Sequence, residues 1–300
     1  MSVVVVGLDI GGTKTQVRVE TLDGARLVDA VSPSGDWAAS PVAAAADWIA
    51  AAVDRHVPAG AVLAAIGAGA QGCDTEEHCV ALGRALTAAS GVPSTVTNDA
   101  ALLVPAAGLV SGIGVIAWTG SIAVAVRPDG SLGFAGGWGW VLGDEGSAPA
   151  LVREAVRAAL TRHDAGGVHD VLLPMLLEAF GVSSAAGLAR TVNDNTDPAH
   201  WATRAPAVFA AASSGSADAR QVITDGGAAL AALVGVLLSS GAVGDVVAAG
   251  GVITSQPSLF EAFRGTLARS HPDLTIHLLD ASPVAGAVAL ARRHPLPEEL

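Results

Sequence analysis

The stretch that decides the fold is Asp9-Ile10-Gly11-Gly12-Thr13-Lys14-Thr15, a glycine-rich turn that follows an apolar run at residues 3–8. A P-loop or a dinucleotide fingerprint needs a helix directly after its glycines. Here residues 16–20 alternate between polar and apolar side chains, which is typical of a strand. The glycines are therefore predicted to form the tip of a hairpin. Gly11 and Gly12 allow backbone N–H groups to approach an anion closely, so the turn is a candidate phosphate-binding loop.

A second hairpin with the same order of features lies further along the chain. Residues 113–118 form an apolar run, Thr119-Gly120-Ser121 forms a tight turn, and residues 122–127 form another strand. Each hairpin is followed by an Asp-Gly turn, at Asp23-Gly24 and at Asp129-Gly130. Such dipeptides are common turn chemistry, but the shared order of four features favours two equivalent hairpins that grip one polyphosphate across a cleft.

Strands and helices alternate along the remaining sequence, which predicts an α/β fold. A chain of 300 residues is long for one core, so we expect two lobes that share a cleft, residues 1–110 and residues 111–300, with the last helix packing back on the first lobe. The expected elements are a third strand at 25–31, a helix from about 41, a strand at 63–69, a helix that a capping box at 74–77 opens, a strand at 94–97, a helix at 149–161, a helical region at 170–240 with a loop at 193–198, strands at 246–249 and 274–279, and a last helix from about 283.

Charge and cysteine content restrict the possible partners. The net charge of −12, without a Lys/Arg cluster, argues against binding of nucleic acid or anionic lipid. The uncharged stretches at 100–126 and 226–244 are interrupted by glycines and are expected to be core elements rather than membrane spans, and residues 1–9 do not resemble a signal peptide. We expect a cytoplasmic protein with Cys73 and Cys79 as reduced thiols and no zinc motif.

Four motifs, in this order along the chain, resemble the actin/hexokinase/Hsp70 superfamily. Asp9 to Thr15 resembles its first phosphate motif, Asn98-Asp99-Ala100 the segment that carries the catalytic acid in its sugar kinases, Thr119-Gly120-Ser121 its second phosphate loop, and Ala249-Gly250-Gly251-Val252 its adenosine motif. The resemblance implies ATP binding by Gly11, Gly12, Thr13, Lys14, Thr119, Gly120, Ser121, Gly250 and Gly251.

A longer segment gives a more specific match. Gly136-Gly137-Trp138-Gly139, followed by Leu142-Gly143-Asp144-Glu145-Gly146-Ser147, resembles N-acetylglucosamine kinases of the BadF/BadG/BcrA/BcrD group. The resemblance implies a two-lobed actin-like (ribonuclease H-like) ATPase fold with a central cleft. It also implies ATP and Mg²⁺ as cofactors, N-acetylglucosamine as the sugar and a homodimer as a possible assembly.

Two aspartates at predicted strand ends suit the chemistry of such a kinase. Asp9 is a candidate Mg²⁺ ligand, because Mg²⁺ takes few carboxylates and keeps several waters; alternatively it only caps the turn. Asp99 is the candidate general base that takes a proton from the attacking sugar hydroxyl. The alternative for Asp99 is a helix N-cap, since Asn98-Asp99 precedes an apolar helical run.

The predicted sugar site combines carboxylates with tryptophans. Asp144 and Glu145 can accept hydrogen bonds from hydroxyls, or can be a solvated pair at a helix start. The chain has six tryptophans and no tyrosine. Indoles beside a glycine run suit the apolar face of a pyranose, although core packing is the alternative. The expected sugar-binding residues are Trp37, Asn98, Asp99, Gly137, Trp138, Trp140, Asp144 and Glu145.

Three departures from the family pattern leave the substrate open. In the second phosphate loop, Trp118 replaces the first Gly of the usual Gly-Thr-Gly-Ser. In the substrate loop near Trp37, Gly35 or Asp36 replaces the usual Asn, and after Gly146-Ser147, Ala148-Pro149 replaces bulkier residues. Glucosamine, N-acetylmuramic acid and other hexoses are alternative substrates. Other alternative functions are an ATPase that activates an iron–sulfur dehydratase, a ROK-type glucokinase or repressor, and a non-catalytic sugar sensor or filament protein. The cysteine spacing matches neither a shared cluster nor the ROK zinc motif.

Overall fold

The first five strands form one mixed sheet in the computed structural model, which describes residues 2–166 and 170–295. They are β1 (Val3–Ile10), β2 (Lys14–Thr21), β3 (Arg26–Pro33), β4 (Val62–Ala70) and β5 (Ser94–Thr97), in the order β3-β2-β1-β4-β5. β2 is antiparallel to β1 and β3, while β4 is parallel to β1 and to β5. The carboxyl ends of β1, β4 and β5 therefore lie at one edge of this sheet.

The next five strands repeat this arrangement. They are β6 (Gly112–Ala117), β7 (Ser121–Val126), β8 (Leu132–Gly136), β9 (Val246–Ala249) and β10 (Ile276–Leu278), in the order β10-β9-β6-β7-β8. β6, β7 and β8 are antiparallel neighbours, and β9 and β10 run parallel to β6. The two sheets have the same topology, so the repeated pattern in the sequence reflects two equivalent halves. The molecule is a two-lobed α/β structure, as predicted.

Helices fill the connections between strands and cover both sheets. The elements are α1 (Val42–His56), α2 (Glu76–Ser90), a 3₁₀ helix (Asp99–Leu102), α3 (Leu103–Ala106), α4 (Ala148–Asp164), α5 (Leu172–Phe180), α6 (Ala185–Asp194), α7 (Pro198–Ala202), α8 (Ala205–Ser213), α9 (Ala217–Ser239), α10 (Gly251–Ser255), α11 (Pro257–Ser270) and α12 (Val284–Ala291). α1 and α2 pack on the first sheet around Ile49, Leu82 and Leu86. α4 and α9 belong to the core of the second lobe.

Each lobe sends one helical segment to the sheet of the other lobe. After β5, the 3₁₀ helix and α3 pack on β6 of the second sheet, and after β10, α12 packs on β1 and β4 of the first. The approach is close enough to require glycine. A Cβ on Gly67 would lie 2.0 Å from the carbonyl oxygen of Ala287, and one on Gly286 would lie 2.1 Å from that of Leu102. The lobe boundary between residues 110 and 111 stays a prediction.

The longest helix, α9, is by length and hydropathy capable of crossing a membrane, a property it shares with many core helices of globular proteins. Within its most apolar window, 44% of the residues are buried inside the molecule. It packs against α4, α11 and β7. These contacts make it the core helix of the second lobe, which agrees with the interpretation of the glycine-rich stretch at 226–244.

Most predicted elements are confirmed within a few residues, but three details of the prediction were wrong. β8 was not predicted, because two of its five residues are glycines and the strand signal is weak. The loop expected at 193–198 is only three residues long, since α6 extends to Asp194 and α7 begins at Pro198. The spacing of Cys79, Leu82, Leu86 and Ala89 predicts one apolar side of α2, but Ala89 is exposed.

Candidate active site

A cleft of about 630 Å³ lies between the carboxyl ends of the two sheets. The first hairpin turn and the residues after β4 and β5 line it from one lobe. The second hairpin turn and the residues after β9 line it from the other. The predicted site residues in its lining are Asp9, Gly11, Gly12, Thr13, Lys14, Asn98, Asp99, Thr119, Gly120, Ser121, Gly137, Asp144, Gly250 and Gly251.

Buried Ser34 forms hydrogen bonds with the first hairpin turn. The Ser34 hydroxyl donates to the carbonyl of Gly11 (2.6 Å) and lies 3.0 Å from the hydroxyl of Thr15, while the Ser34 N–H donates to the carbonyl of Thr13 (3.0 Å). Within residues 2–166 and 170–295, the N–H groups of Gly12 and Thr13 donate to no protein acceptor. The turn is therefore rigid and presents donors to the cleft, as an anion-binding loop requires.

The second hairpin turn is fixed at both of its ends. The Trp118 N–H donates to Gly120 O (2.9 Å), and the Ser121 hydroxyl donates to the carbonyl of Glu145 (2.9 Å). A Cβ on Gly120 would lie 3.0 Å from Oδ2 of Asp144. The Asp144 carboxylate thus lies directly against this turn, so that a glycine turn and a carboxylate share one corner of the cleft.

Asp9 and Asp99 both have raised pKa values. Burial raises the pKa of Asp9 to about 6, partly offset by the positive charge of Lys14. The pKa of Asp99 is raised to about 7, first by burial and then by the negative charge of Asp9, against the opposing effect of the Ala100 N–H. A carboxylate whose pKa lies near neutrality is suited to accept a proton in the physiological range.

The local structure around Asp99 bears on the alternative that it is a helix cap. The N-cap of the 3₁₀ helix is Asn98, whose Oδ1 accepts from the N–H of Ala100 (2.9 Å) and whose Nδ2 donates to Cys73 O (3.2 Å) and Asp74 Oδ1 (3.1 Å). Asp99 Oδ1 also accepts from the N–H of Ala100 (3.0 Å). Because Asn98 already caps the helix, the second carboxylate oxygen of Asp99 is available for other chemistry.

Asp144 has an unusual backbone and an unpartnered side-chain atom. Its φ of 58° makes it the one non-glycine residue with positive φ in the described chain. It is 8% exposed, and its Oδ1 has no hydrogen-bond partner. Burial raises its pKa. Hydrogen bonding from the N–H groups of Ser121 and Gly139 opposes this shift in pKa. Asp144 lines the cleft, where an unpartnered buried acceptor calls for an explanation.

The three expected sugar-binding tryptophans and Glu145 do not line this cleft. Trp37 packs against Trp48 with ring centroids 5.1 Å apart and donates its indole N–H to Gln71 O. Trp140 packs against Trp201 at 5.1 Å, which is the core role named as its alternative. Trp138 is 76% exposed. Glu145 faces a separate groove between α4 and α9. The sugar contacts expected of these four residues stay predictions.

Other residues in and around the cleft were not singled out from the sequence. Gln71 and Asp74 follow β4, and both line the cleft beside Asp99. The available signal was that polar residues after a parallel strand lie at the binding edge of the sheet, but the capping-box pattern at 74–77 drew attention to the helix instead. Ser34 had no sequence signal, because its role depends on tertiary contact with the first turn.

The cysteines support the site indirectly. Both are free and buried, as predicted. The Cys79 thiol donates to Cys73 O (3.4 Å), the carbonyl that also accepts from Asn98. The side chain of Cys73 and burial raise the pKa of the Cys79 thiol, which disfavours a reactive thiolate.

The carboxylates of the cleft fit Mg²⁺ bound together with a nucleotide. Among the described residues, no three His, Cys, Asp or Glu side chains are grouped so that they could hold a metal. Asp9 offers hard oxygen ligands at the cleft wall. Mg²⁺ commonly takes one or two carboxylates, with waters and substrate phosphates as its other ligands, so the donor set suits Mg²⁺ delivered with ATP.

Comparison with known proteins identifies a family and a fold. The family model for the BadF/BadG/BcrA/BcrD ATPase family matches residues 6–291. An N-acetylmuramic acid/N-acetylglucosamine kinase from Clostridium acetobutylicum is 26% identical, over 96% of this chain and 98% of its own. An N-acetyl-D-glucosamine kinase from Dictyostelium discoideum is 24% identical, over 95% and 97%.

Solved structures agree with this comparison. A Chromobacterium violaceum protein, provisionally named an N-acetylglucosamine kinase, aligns with a TM-score of 0.71 and 28% identity over 96% of this chain and 98% of its own. A ROK family glucokinase from Streptomyces griseus, in complex with glucose and AMPPNP, aligns with a TM-score of 0.62 and 20% identity over 97% of this chain and 100% of its own. The second likeness concerns the fold alone.

Proposed function

The chain belongs to the BadF/BadG/BcrA/BcrD ATPase family, and from that premise we propose that it transfers the γ-phosphoryl group of ATP to an amino sugar, with N-acetylglucosamine as the preferred substrate. The observation that carries the proposal is the convergence of two equivalent hairpin turns on one cleft that also holds Asp9, Asp99 and Asp144. Phosphoryl transfer requires mainly alignment and charge stabilisation, which such a cleft can supply.

The two turns and the adenosine motif bind the nucleotide in this proposal. Free N–H groups at Gly12 and Thr13 and the ammonium of Lys14 face the phosphates from the first lobe. Thr119, Gly120 and Ser121 face them from the second lobe, and Gly250 and Gly251 contact the nucleoside. Mg²⁺ at Asp9 would neutralise charge on the phosphates.

Asp99 acts as the general base. The sugar 6-hydroxyl gives its proton to the Asp99 carboxylate as its oxygen bonds to the γ-phosphorus. The bond from that phosphorus to the β,γ-bridging oxygen breaks, and ADP leaves. With a pKa of about 7, Asp99 is substantially ionised at neutral pH and is basic enough to take the proton as the new bond forms.

Asp144, Asn98 and Gly137 position the sugar. Asp144 lines the cleft beside the second turn, and its carboxylate can accept a hydrogen bond from a sugar hydroxyl. The names of the two curated relatives favour N-acetylglucosamine or N-acetylmuramic acid over an unmodified hexose. A cytoplasmic location and a homodimer remain predictions of the same proposal.

The dehydratase-activating ATPase is the alternative from the same family. A cluster shared between subunits needs exposed cysteine ligands. Cys73 and Cys79 are both buried, and the Cys79 thiol is hydrogen-bonded within its own chain. This arrangement favours the kinase over the activator.

The test is ADP release from ATP and Mg²⁺ with N-acetylglucosamine, N-acetylmuramic acid, glucosamine or glucose, each measured against a sugar-free control. We expect N-acetylglucosamine to give the highest kcat/KM and its 6-phosphate as product. Faster turnover of glucose would overturn the amino-sugar assignment. If none of the sugars stimulates ADP release, the proposed kinase activity is wrong.

A further inference from the structure

Trp118 stands where three segments of the cleft wall meet. Its N–H donates to Gly120 O (2.9 Å), and its carbonyl accepts from the N–H of Ala148 at the start of α4 (2.8 Å), so its backbone is fixed. A Cβ on Gly251 would lie within 3.3 to 3.5 Å of three atoms of the indole. The residue is still 43% exposed and lines the cleft. The ring therefore joins the second turn to the segment after β9 and leaves surface free for a third contact.

That third contact comes from the other lobe. The Lys14 ammonium lies 4.7 Å from the centroid of the Trp118 ring, within the range of a cation–π interaction. Three carboxylates, Asp9, Asp99 and Asp144, line the same cleft. Among the described residues, however, Lys14 forms no salt bridge with any of them. The ring, rather than a carboxylate, holds the ammonium.

Lys14 is also the only lysine in the 300 residues, whereas the chain has 15 arginines. The two cations differ in shape. A guanidinium stacked on an indole spreads its donors in a plane, while an ammonium that touches a ring with one side still directs N–H groups away from it. A lysine at this position can contact the ring and a phosphate together.

We propose that Trp118 is a positioning residue for the nucleotide. Its indole holds the Lys14 ammonium in the cleft before ATP arrives, with the opposite side of the ammonium facing the phosphates. Restricting a flexible lysine in advance lowers the conformational entropy that binding must remove. This inference rests on the proposed nucleotide binding and adds a residue that is not among the predicted ATP-binding residues.

The first test uses the single lysine as a reporter. An amine-selective acylating reagent is applied under limiting conditions, and the protein is then cleaved before aspartate. The peptide of residues 9–22, which contains Lys14, is quantified by mass spectrometry, separately from residues 1–8, which carry the α-amino group. Without nucleotide, we expect Trp118→Leu to be labelled about two- to fivefold faster than the wild type, the size of an exposed cation–π contact. Trp118→Phe, which keeps an aromatic face, should fall between them.

The second test separates positioning from folding. Trp118→Leu should raise the KM for ATP by about two- to fivefold. The kcat, the KM for the sugar and the melting temperature should change little. In a Lys14→Met background, Trp118→Leu should add nothing further, because the cycle of single and double variants isolates the pair. Lys14→Arg should raise the KM for ATP despite keeping the charge.

The outcomes distinguish this inference from the proposed function. If ATP slows the labelling of Lys14 and the enzyme turns over, but Trp118→Leu equals the wild type in labelling and in KM for ATP, the inference is wrong and the kinase stands. Additive effects in the cycle would also overturn it. If ATP neither protects Lys14 nor is consumed with any sugar, nucleotide binding itself fails, and the role of Trp118 falls with it.

Discussion

The two halves of the cleft have the same topology but different chemistry. In the first lobe the turn between β1 and β2 is Gly11-Gly12-Thr13, followed by Lys14, and aspartates stand at the ends of β1 and β5. In the second lobe the equivalent turn is Trp118-Thr119-Gly120, followed by Ser121. Gly11 thus corresponds to Trp118, and Lys14 to Ser121. The first turn is therefore followed by a cationic side chain, and the second begins with an aromatic ring.

This difference shows how one architecture, used twice, can serve two purposes. Both turns join an antiparallel pair of strands at the same edge of a sheet. Among the described residues, each turn leaves two N–H groups without a protein acceptor, those of Gly12 and Thr13 in the first and those of Thr119 and Gly120 in the second. The second turn differs in that it carries a ring and lies against a buried carboxylate. In the proposed mechanism the proton goes to Asp99 in the first half, so substitutions in the two halves should have different effects on kcat and KM.

The largest expected effect comes from a substitution in the first half. Asp99→Asn keeps the size of the side chain but cannot take the proton, so we expect kcat to fall by about 10²- to 10⁴-fold. Asn98 should retain the helix cap, so the melting temperature should change little. Steady-state kinetics and thermal unfolding measure both. The matched variant in the other half is Asp144→Asn, which should mainly raise the KM for the sugar. Near-normal turnover of Asp99→Asn would place the base elsewhere, with Asp144 the next candidate.

The second prediction concerns pH and again separates the halves. A general base must be deprotonated to act, so activity should fall as the pH drops below the pKa of Asp99, about 7 in the free protein. Well below that value, kcat/KM should decrease by about tenfold per pH unit. The residual activity of Asp99→Asn should lose this dependence above the pKa of Asp9, about 6, while Asp144→Asn should keep it. A wild-type profile that is flat between pH 5 and 8 would contradict the assignment.

The third prediction compares the glycines of the two turns. A side chain at Gly12 meets only the end of the Gln71 side chain, so Gly12→Val should be folded and should weaken ATP binding by about tenfold, without a similar effect on the sugar. A side chain at Gly120 meets the Asp144 carboxylate, so Gly120→Ala should weaken both ligands. Calorimetric titration of each ligand into each variant measures this. If both variants weaken sugar binding equally, the two turns do not differ in their contribution to the sugar site.

The smallest expected effect concerns the backbone of Asp144. Asparagine tolerates positive φ nearly as well as aspartate, whereas alanine does not. Asp144→Ala should therefore be less stable than Asp144→Asn by about 1 kcal/mol, measured by denaturant unfolding. If the two variants have the same free energy of unfolding, the left-handed conformation at Asp144 contributes no strain and needs no functional explanation.

The sequence was most informative where local chemistry decides the structure. Glycine turns, buried apolar runs and Asp-Gly turns predicted both hairpins, and the alternating residues after the first turn were enough to exclude a P-loop. Asp9 and Asp99 were expected at the ends of strands, and in the structure both line the cleft. β8 was missed, because glycines that allow the turn at 136–139 also weaken the strand signal.

The sequence was least informative about side-chain partners. Trp37 and Trp140 looked suited to a pyranose, yet each packs against another indole that is 11 or 61 residues away in the chain. Glu145 follows Asp144 directly but faces another groove, because the left-handed backbone at Asp144 and Gly146 turns the chain there. The partner and the direction of each of these side chains depend on tertiary contacts, which no local sequence pattern specifies.

The position of α12 has a consequence for how the protein is made. The first lobe is translated first, but one face of its sheet is covered by residues 284–291, at the other end of the chain, with Gly67 against Ala287. Until those residues leave the ribosome, Val5, Ala64 and Ala65, which pack with Val288 and Ala291, have no cover. The earliest-made half is thus completed last, and stalled chains that end before residue 284 should be cleaved by protease throughout residues 1–110, whereas full-length chains should resist.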